Sequence, residues 1–114
     1  MRTVSSSGRV FGEIDTFPGC GVLCVSHGVY KVGNFPGEGK KAHAERLAEM
    51  RKLGYQFAMC TVVDTNVAQV KIMERFLWKK LFSFTSDKTG NKVSMWLKNL
   101  EDEDYIQSRG INLL

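Results

Sequence analysis

Between residues 34 and 41 the chain reads Asn34-Phe35-Pro36-Gly37-Glu38-Gly39-Lys40-Lys41. Glycine lets a backbone approach a ligand closely, and a helix starting here presents free N–H groups and a partial positive charge. Lys40 and Lys41 add full charges at the same spot, so the segment could hold an anion the size of a pyrophosphate. It is not a Walker loop. Gly33 to Gly39 is one residue too long for G-x-x-x-x-G-K-[ST], and Lys41 stands where a metal-binding hydroxyl is needed. Gly37, Gly39 and Ala42 formally satisfy the dinucleotide pattern G-x-G-x-x-G/A. That pattern is short and recurs by chance, and the chain is small for a dinucleotide-binding domain. The plainer alternative is a tight loop followed by two solvated lysines.

The acid–base candidates are few. Glu13 and Asp15 sit on an early strand-like segment, where either could take a proton or merely face solvent. His27 directly follows the apolar run Val22-Leu23-Cys24-Val25 and could act as a base through water, or be an ordinary loop histidine. His43 falls on the inner face of a helix and is expected to be packed and hydrogen-bonded. Cys20, Cys24 and Cys60 are odd in number and form no C-x-x-C pair, which argues against a zinc site and a disulfide framework. Cys24 and Cys60 read as buried thiols, and Trp78, Trp96 and Phe84 as core aromatics. No two His, Cys or acidic residues show metal-ligand spacing, so no metal is expected.

These residues need elements to hold them. Arg9 to Asp15 reads as a strand and Phe17-Pro18-Gly19-Cys20-Gly21 as a turn. Val22 to Val25 reads as a central strand buried on both faces. Gly28 to Gly39 reads as a loop, with an extended piece at Val29–Val32. A helix is expected over Lys40–Leu53, with His43, Leu47, Met50 and Leu53 on its inner stripe and Gly54 as its left-handed stop. Tyr55 to Val63 is a strand, and Asp64-Thr65-Asn66 offers N-caps for a second helix. That helix buries Val67, Val70, Met73 and Leu77 and presents Lys71, Glu74 and Arg75 to solvent. Leu81–Phe84 and Val93–Leu97 form a hairpin around the turn chemistry of Ser86 to Asn91. The order implies a mixed sheet with helices packed on it, an α/β or α+β domain.

The 114 residues make one domain. Its parts are a reduced set of strands over 1–21, a core over 22–100 and an acidic tail over 101–114. At 43% hydrophobic and 25% charged, the composition excludes a disordered or collagen-like chain. No apolar run approaches the roughly 20 residues of a membrane helix, and the first residues lack a signal-peptide core. A cytoplasmic protein with reduced thiols is expected. The net charge of +4 suits an anionic partner but carries little weight alone. It leaves open a nucleic-acid-binding module, although the basic residues are spread out and no aromatic–basic motif recurs.

The succession of elements resembles the GNAT superfamily of acetyl-CoA-dependent N-acetyltransferases. The family's loop Q/R-x-x-G-x-G/A is matched by Asn34-x-x-Gly37-x-Gly39, with Asn34 where Gln or Arg is usual. Its splayed strand corresponds to Tyr55–Val63, its helix-opening Asn to Asn66, and its Gly-Phe to Leu77-Trp78. The resemblance runs from about Val22 to Leu100. It implies a mostly antiparallel sheet with one parallel, splayed pair. It also implies that the loop N–H groups from Asn34, Gly37, Glu38 and Gly39 hold the coenzyme A pyrophosphate, with Lys40 and Lys41 assisting. The pantetheine arm would lie between the strands near Cys24-Val25 and Cys60-Thr61, with Asn66 near its end. Acetyl transfer would be direct attack by an amine of a protein, nucleic acid or small molecule, with Glu13 or His27 removing its proton.

Three departures matter. Only 21 residues precede Val22, fewer than the family's opening strand and two helices, so a second copy of the chain or a large acceptor is expected to supply a wall. A homodimer would also protect the open sheet edge at the start. Met73 stands where the family's acid tyrosine is usual, and methionine cannot donate a proton; Tyr30 is the only tyrosine near the loop. The stretch from Val25 to Asn34 is longer than usual, which leaves the strand-to-loop register open. These departures support an alternative, a catalytically inactive binding protein with the same fold.

Overall fold

The computed structural model describes residues 2–6, 9–27 and 38–102. Eight elements follow in order: β1 (Arg2–Ser6), β2 (Arg9–Phe17), β3 (Cys20–His27), α1 (Glu38–Lys52), β4 (Phe57–Val63), α2 (Val67–Arg75), β5 (Lys79–Thr85) and β6 (Lys92–Asn99). The strands form one six-stranded sheet in the order β1-β2-β3-β4-β6-β5. Every neighbouring pair is antiparallel except β3 and β4, which run parallel across the α1 connection. This is the mixed sheet with one parallel pair that the order of segments implied. Asn34, Gly37, Tyr30, the extended piece at Val29–Val32 and the tail beyond Asp102 lie outside the described residues.

Several boundaries differ from the sequence expectation. Helix α1 begins at Glu38, so Gly39 lies in its first turn instead of in a loop. Strand β4 starts at Phe57, two residues after Tyr55, and both hairpin arms are longer than their apolar cores. The turn before β3 shrinks to Pro18-Gly19, with Gly19 at φ 80°. Strand β1 pairs with β2 although its own residues carry no apolar pattern.

Both helices end in the same motif. In α1, Tyr55 N–H reaches the Met50 carbonyl and Gly54 N–H the Arg51 carbonyl, with Gly54 at φ 88°. In α2, Trp78 N–H reaches Met73 and Leu77 N–H reaches Glu74, with Leu77 at φ 66°. A left-handed turn needs no side-chain accommodation at Gly54, whereas at Leu77 it costs about 1–2 kcal/mol. Lys98 Nζ donates to the Phe76 carbonyl at 2.7 Å, putting a cation at the negative end of α2.

Alternation along the strands sorts the sheet into two unlike faces. One face carries Ile14, Cys24, Ala58, Cys60, Val62 and Trp96, all buried with Leu47 and Met50 of α1 and Met73 and Phe76 of α2 in one core. Helix α1 meets the C-cap of α2 there, with the His43 and Phe76 ring centroids 4.7 Å apart. On the other face Val25, Met59, Val63, Val93, Met95 and Leu97 are only half-buried, and Phe82 and Phe84 are exposed. Val22, Leu53, Val67 and Phe84, expected inside, are at the surface. Trp78 and Trp96 are in the core as expected. No described helix is long and apolar enough to cross a membrane.

Candidate active site

Strands β3 and β4 stay together for three residue pairs, Leu23 with Phe57, Cys24 with Ala58 and Val25 with Met59. Beyond that, β3 keeps to β2, with Ser26 opposite Ile14 and His27 opposite Glu13. Strand β4 keeps to β6, with Cys60 opposite Trp96 and Thr61 opposite Met95. Each strand is held on its outer side while the inner edges part. A cleft of about 270 Å³ opens there, lined by Val25, Ser26, His27, Met59, Cys60, Thr61 and Met95. Strand edges that have left their ladder offer backbone N–H and C=O groups to an extended, amide-bearing ligand.

The sequence candidates fall around this cleft as follows. Val25 and His27 line it, whereas Cys24 lies one pair below the gap and is fully buried. Glu13 and His27 face each other across the β2–β3 ladder, with His27 Nε2 4.0 Å from Glu13 Oε1 and the imidazole well exposed. The pair sets a carboxylate and an imidazole side by side at the edge of the cleft. Asp15 is exposed and its Oδ1 accepts from Thr16 N–H at 3.0 Å.

The thiols are poor nucleophiles. Burial pushes the Cys24 thiol up to about 11 and the Cys60 thiol up to about 12, so neither forms thiolate near neutral pH. His43 is a packing residue. Its Nε2 accepts from Trp78 Nε1 at 2.8 Å, which places the ring proton on Nδ1. Arg46 Nη2, 3.3 Å from Nδ1, then sets a donor against a donor. Burial first, then the charges of Arg46 and Lys98, hold His43 well below its usual range and keep it neutral.

Gly39, Lys40 and Lys41 occupy the first turn of α1, with Lys41 exposed. Asn66 is the N-cap of α2: its side chain accepts from Gln69 N–H at 3.3 Å. Met73, where an acid tyrosine was sought, is fully buried, and Gln69 Nε2 donates to its sulfur at 3.5 Å. Sequence reasoning missed Ser26, Met59 and Met95. Ser26 was legible as the residue between two candidates, but Met59 and Met95 become cleft residues only through strand register. Among the described residues no group of three His, Cys, Asp or Glu could hold a metal ion.

No protein-family model and no curated protein sequence matches this chain. Solved structures do. The acetyltransferase of the GNAT family from Streptococcus pneumoniae superposes with a TM-score of 0.65 at 16% identity, over 83% of this chain and 62% of that one. The chain has the GNAT fold. A ribosomal-protein-alanine N-acetyltransferase from Brucella melitensis gives a TM-score of 0.67 at 16% identity, over 85% of this chain and 66% of its own. A structure described as yncA, a candidate acetyltransferase from Salmonella typhimurium with its cofactor acetyl-CoA, gives 0.66 at 14%, over 87% and 63%. The chain therefore spans just under two thirds of the length of these GNAT-fold structures.

Proposed function

We propose that the chain is an acetyl-CoA-dependent N-acetyltransferase that moves an acetyl group to an amine. The observation that carries this reading is the separation of β3 from β4 after Val25 and Met59, in a sheet of GNAT topology. The residues fit the coenzyme in three ways. The cleft has free strand edges for the two amides of a pantetheine arm. Ser26 brings to its wall a buried hydroxyl with no partner among the described residues. Two lysines stand in the first turn of α1, where the helix dipole alone would disfavour them and where an anion reverses the sign. Asn34, Gly37, Glu38, Gly39, Lys40 and Lys41 would hold the pyrophosphate, and Val25 and Asn66 would contact the arm.

The bound thioester supplies an activated acetyl group. The chain's own part is to orient it, exclude water beside Met59 and Met95, and deprotonate the amine. Glu13 and His27 perform that last task as a pair at the cleft mouth, with Glu13 orienting the ring and His27 taking the proton, directly or through water. No acid is needed at Met73, because a thiolate is a far better leaving group than an alkoxide or an amide anion.

Calorimetry with acetyl-CoA tests the reading. Binding with a micromolar Kd is expected, and thiol release in the presence of an amine panel should follow. Absence of binding up to millimolar acetyl-CoA overturns it. Binding without release for any amine favours an inactive, coenzyme-binding relative, a reading supported by the buried Met73.

A further inference from the structure

We infer that Ser26 is the hydrogen-bonding subsite of the cleft, its hydroxyl donating to an amide carbonyl of a pantetheine-like arm. The inference rests on the proposed coenzyme site and adds a residue to it. Ser26 is 4% exposed, and its Oγ is buried with no hydrogen-bond partner among the described residues. Its backbone is already engaged on the outer side, opposite Ile14 of β2. A buried hydroxyl left unmet costs roughly 1–3 kcal/mol, so such groups are few in native proteins and call for a reason.

The reason lies in where Ser26 sits. It is the first residue of β3 past the last pair with β4, and it lines the cleft together with Cys60 across the gap. Cys60 cannot serve as its partner in the way a carbonyl could, because a protonated thiol is a weak acceptor. The side chains of Met59 and Met95 carry no oxygen. The cleft thus offers free strand edges, apolar side chains from Val25, Met59 and Met95, an exposed hydroxyl at Thr61, and at Ser26 a buried hydroxyl in need of an acceptor. An extended thioester arm with two amides supplies that acceptor. Ser26 lies on the helix-covered side of the sheet, away from the Glu13–His27 pair on the open side, so its partner is an amide of the arm and not the acyl carbonyl that faces the incoming amine.

The test is Ser26→Ala, read by thermal denaturation without ligand and by calorimetry with three probes. In the free protein the midpoint should hold or rise, since the lost hydroxyl had no partner. Coenzyme A and acetyl-CoA should both bind about 5- to 10-fold more weakly, the usual worth of one neutral hydrogen bond. Adenosine 3′,5′-bisphosphate, which lacks the arm, should bind as before. Ser26→Thr, which keeps the hydroxyl, should recover affinity if its methyl is accommodated. A drop in melting midpoint for Ser26→Ala means the hydroxyl serves the fold and overturns the inference. Equal affinity of wild type and Ser26→Ala for coenzyme A overturns it alone, while wild-type protein that binds neither coenzyme overturns the coenzyme reading with it. Weakening confined to acetyl-CoA would move the contact to the thioester and also overturn it.

Discussion

At the scale of single residues, the Glu13–His27 pair is where the proposed chemistry is most exposed to test. Glu13→Gln and His27→Ala should each lower kcat/KM by roughly 100-fold, the lower range for a general base. The double variant should lose little more than the worse single one, because two groups acting on one proton form a unit. Calorimetry should show acetyl-CoA affinity unchanged in both, since neither side chain is assigned to the arm. Unchanged kcat/KM in both variants would remove the pair from the mechanism. The sequence showed these two residue types but not their meeting. A strict hairpin counted outward from the Phe17–Cys20 pair would set Glu13 against Cys24; the irregularity between Thr16 and Phe17 carries Glu13 three residues further, to His27. Such a bulge leaves no local signature beyond the Pro18-Gly19 turn itself. Asn66 and Gly54 were legible because capping is local chemistry, written in one residue and its immediate neighbours.

Elements were legible wherever pattern and punctuation agreed, and less so where long-range pairing decides. Helices α1 and α2, strand β4 and the β5–β6 hairpin follow from spacing, caps and turn residues. Strand β1 does not, because Arg2–Ser6 gains its extended form only by lying against β2. The uncovered sheet face was equally hidden: Phe84 has the residue type of a core, and burial is a property of what packs on it. One contact between elements sets the geometry of the site. Gly12 in β2 lies beneath α1, and a Cβ there would stand 2.4 Å from Arg46 Cδ and 2.8 Å from the His27 carbonyl oxygen. The arginine stem can swing aside; the backbone of β3 cannot do so without disturbing the cleft wall. Gly12→Ala should therefore cost about 1–3 kcal/mol, seen as a fall of roughly 5–15 °C in the melting midpoint, and should also weaken acetyl-CoA binding. A midpoint within a degree of wild type would mean that α1 is free to shift over β2.

For the molecule as a whole, the charge that opened the question has a proposed local use at Lys40 and Lys41, while the pH range of stability is set by groups of the core. His43 stays neutral in the fold because burial, then Arg46 and Lys98, depress its pKa below the ordinary 6.5. Above that value both folded and unfolded chains leave it neutral, and its environment adds no pH dependence. As pH falls below 6.5 the unfolded chain takes up a proton that the fold refuses, so stability declines by up to about 1.4 kcal/mol per unit. The thiols work at the other end. Cys24 and Cys60 are raised from 9.0 to about 11 and about 12, so above pH 9 the unfolded chain loses protons that the fold retains. Their contribution is complete below 9.0 and is lost as pH rises toward the folded values. Of the chain's core groups, these three predict a plateau of stability between about pH 6.5 and 9, with a decline on both sides. Urea denaturation across pH 5 to 11 reads it directly. His43→Leu should lower the plateau, because Trp78 Nε1 loses its acceptor, and should flatten the acid limb. Cys60→Ala should shallow the alkaline limb by removing the more strongly shifted thiol. An acid limb as steep in His43→Leu as in wild type would show that His43 is not the group whose protonation opens the fold.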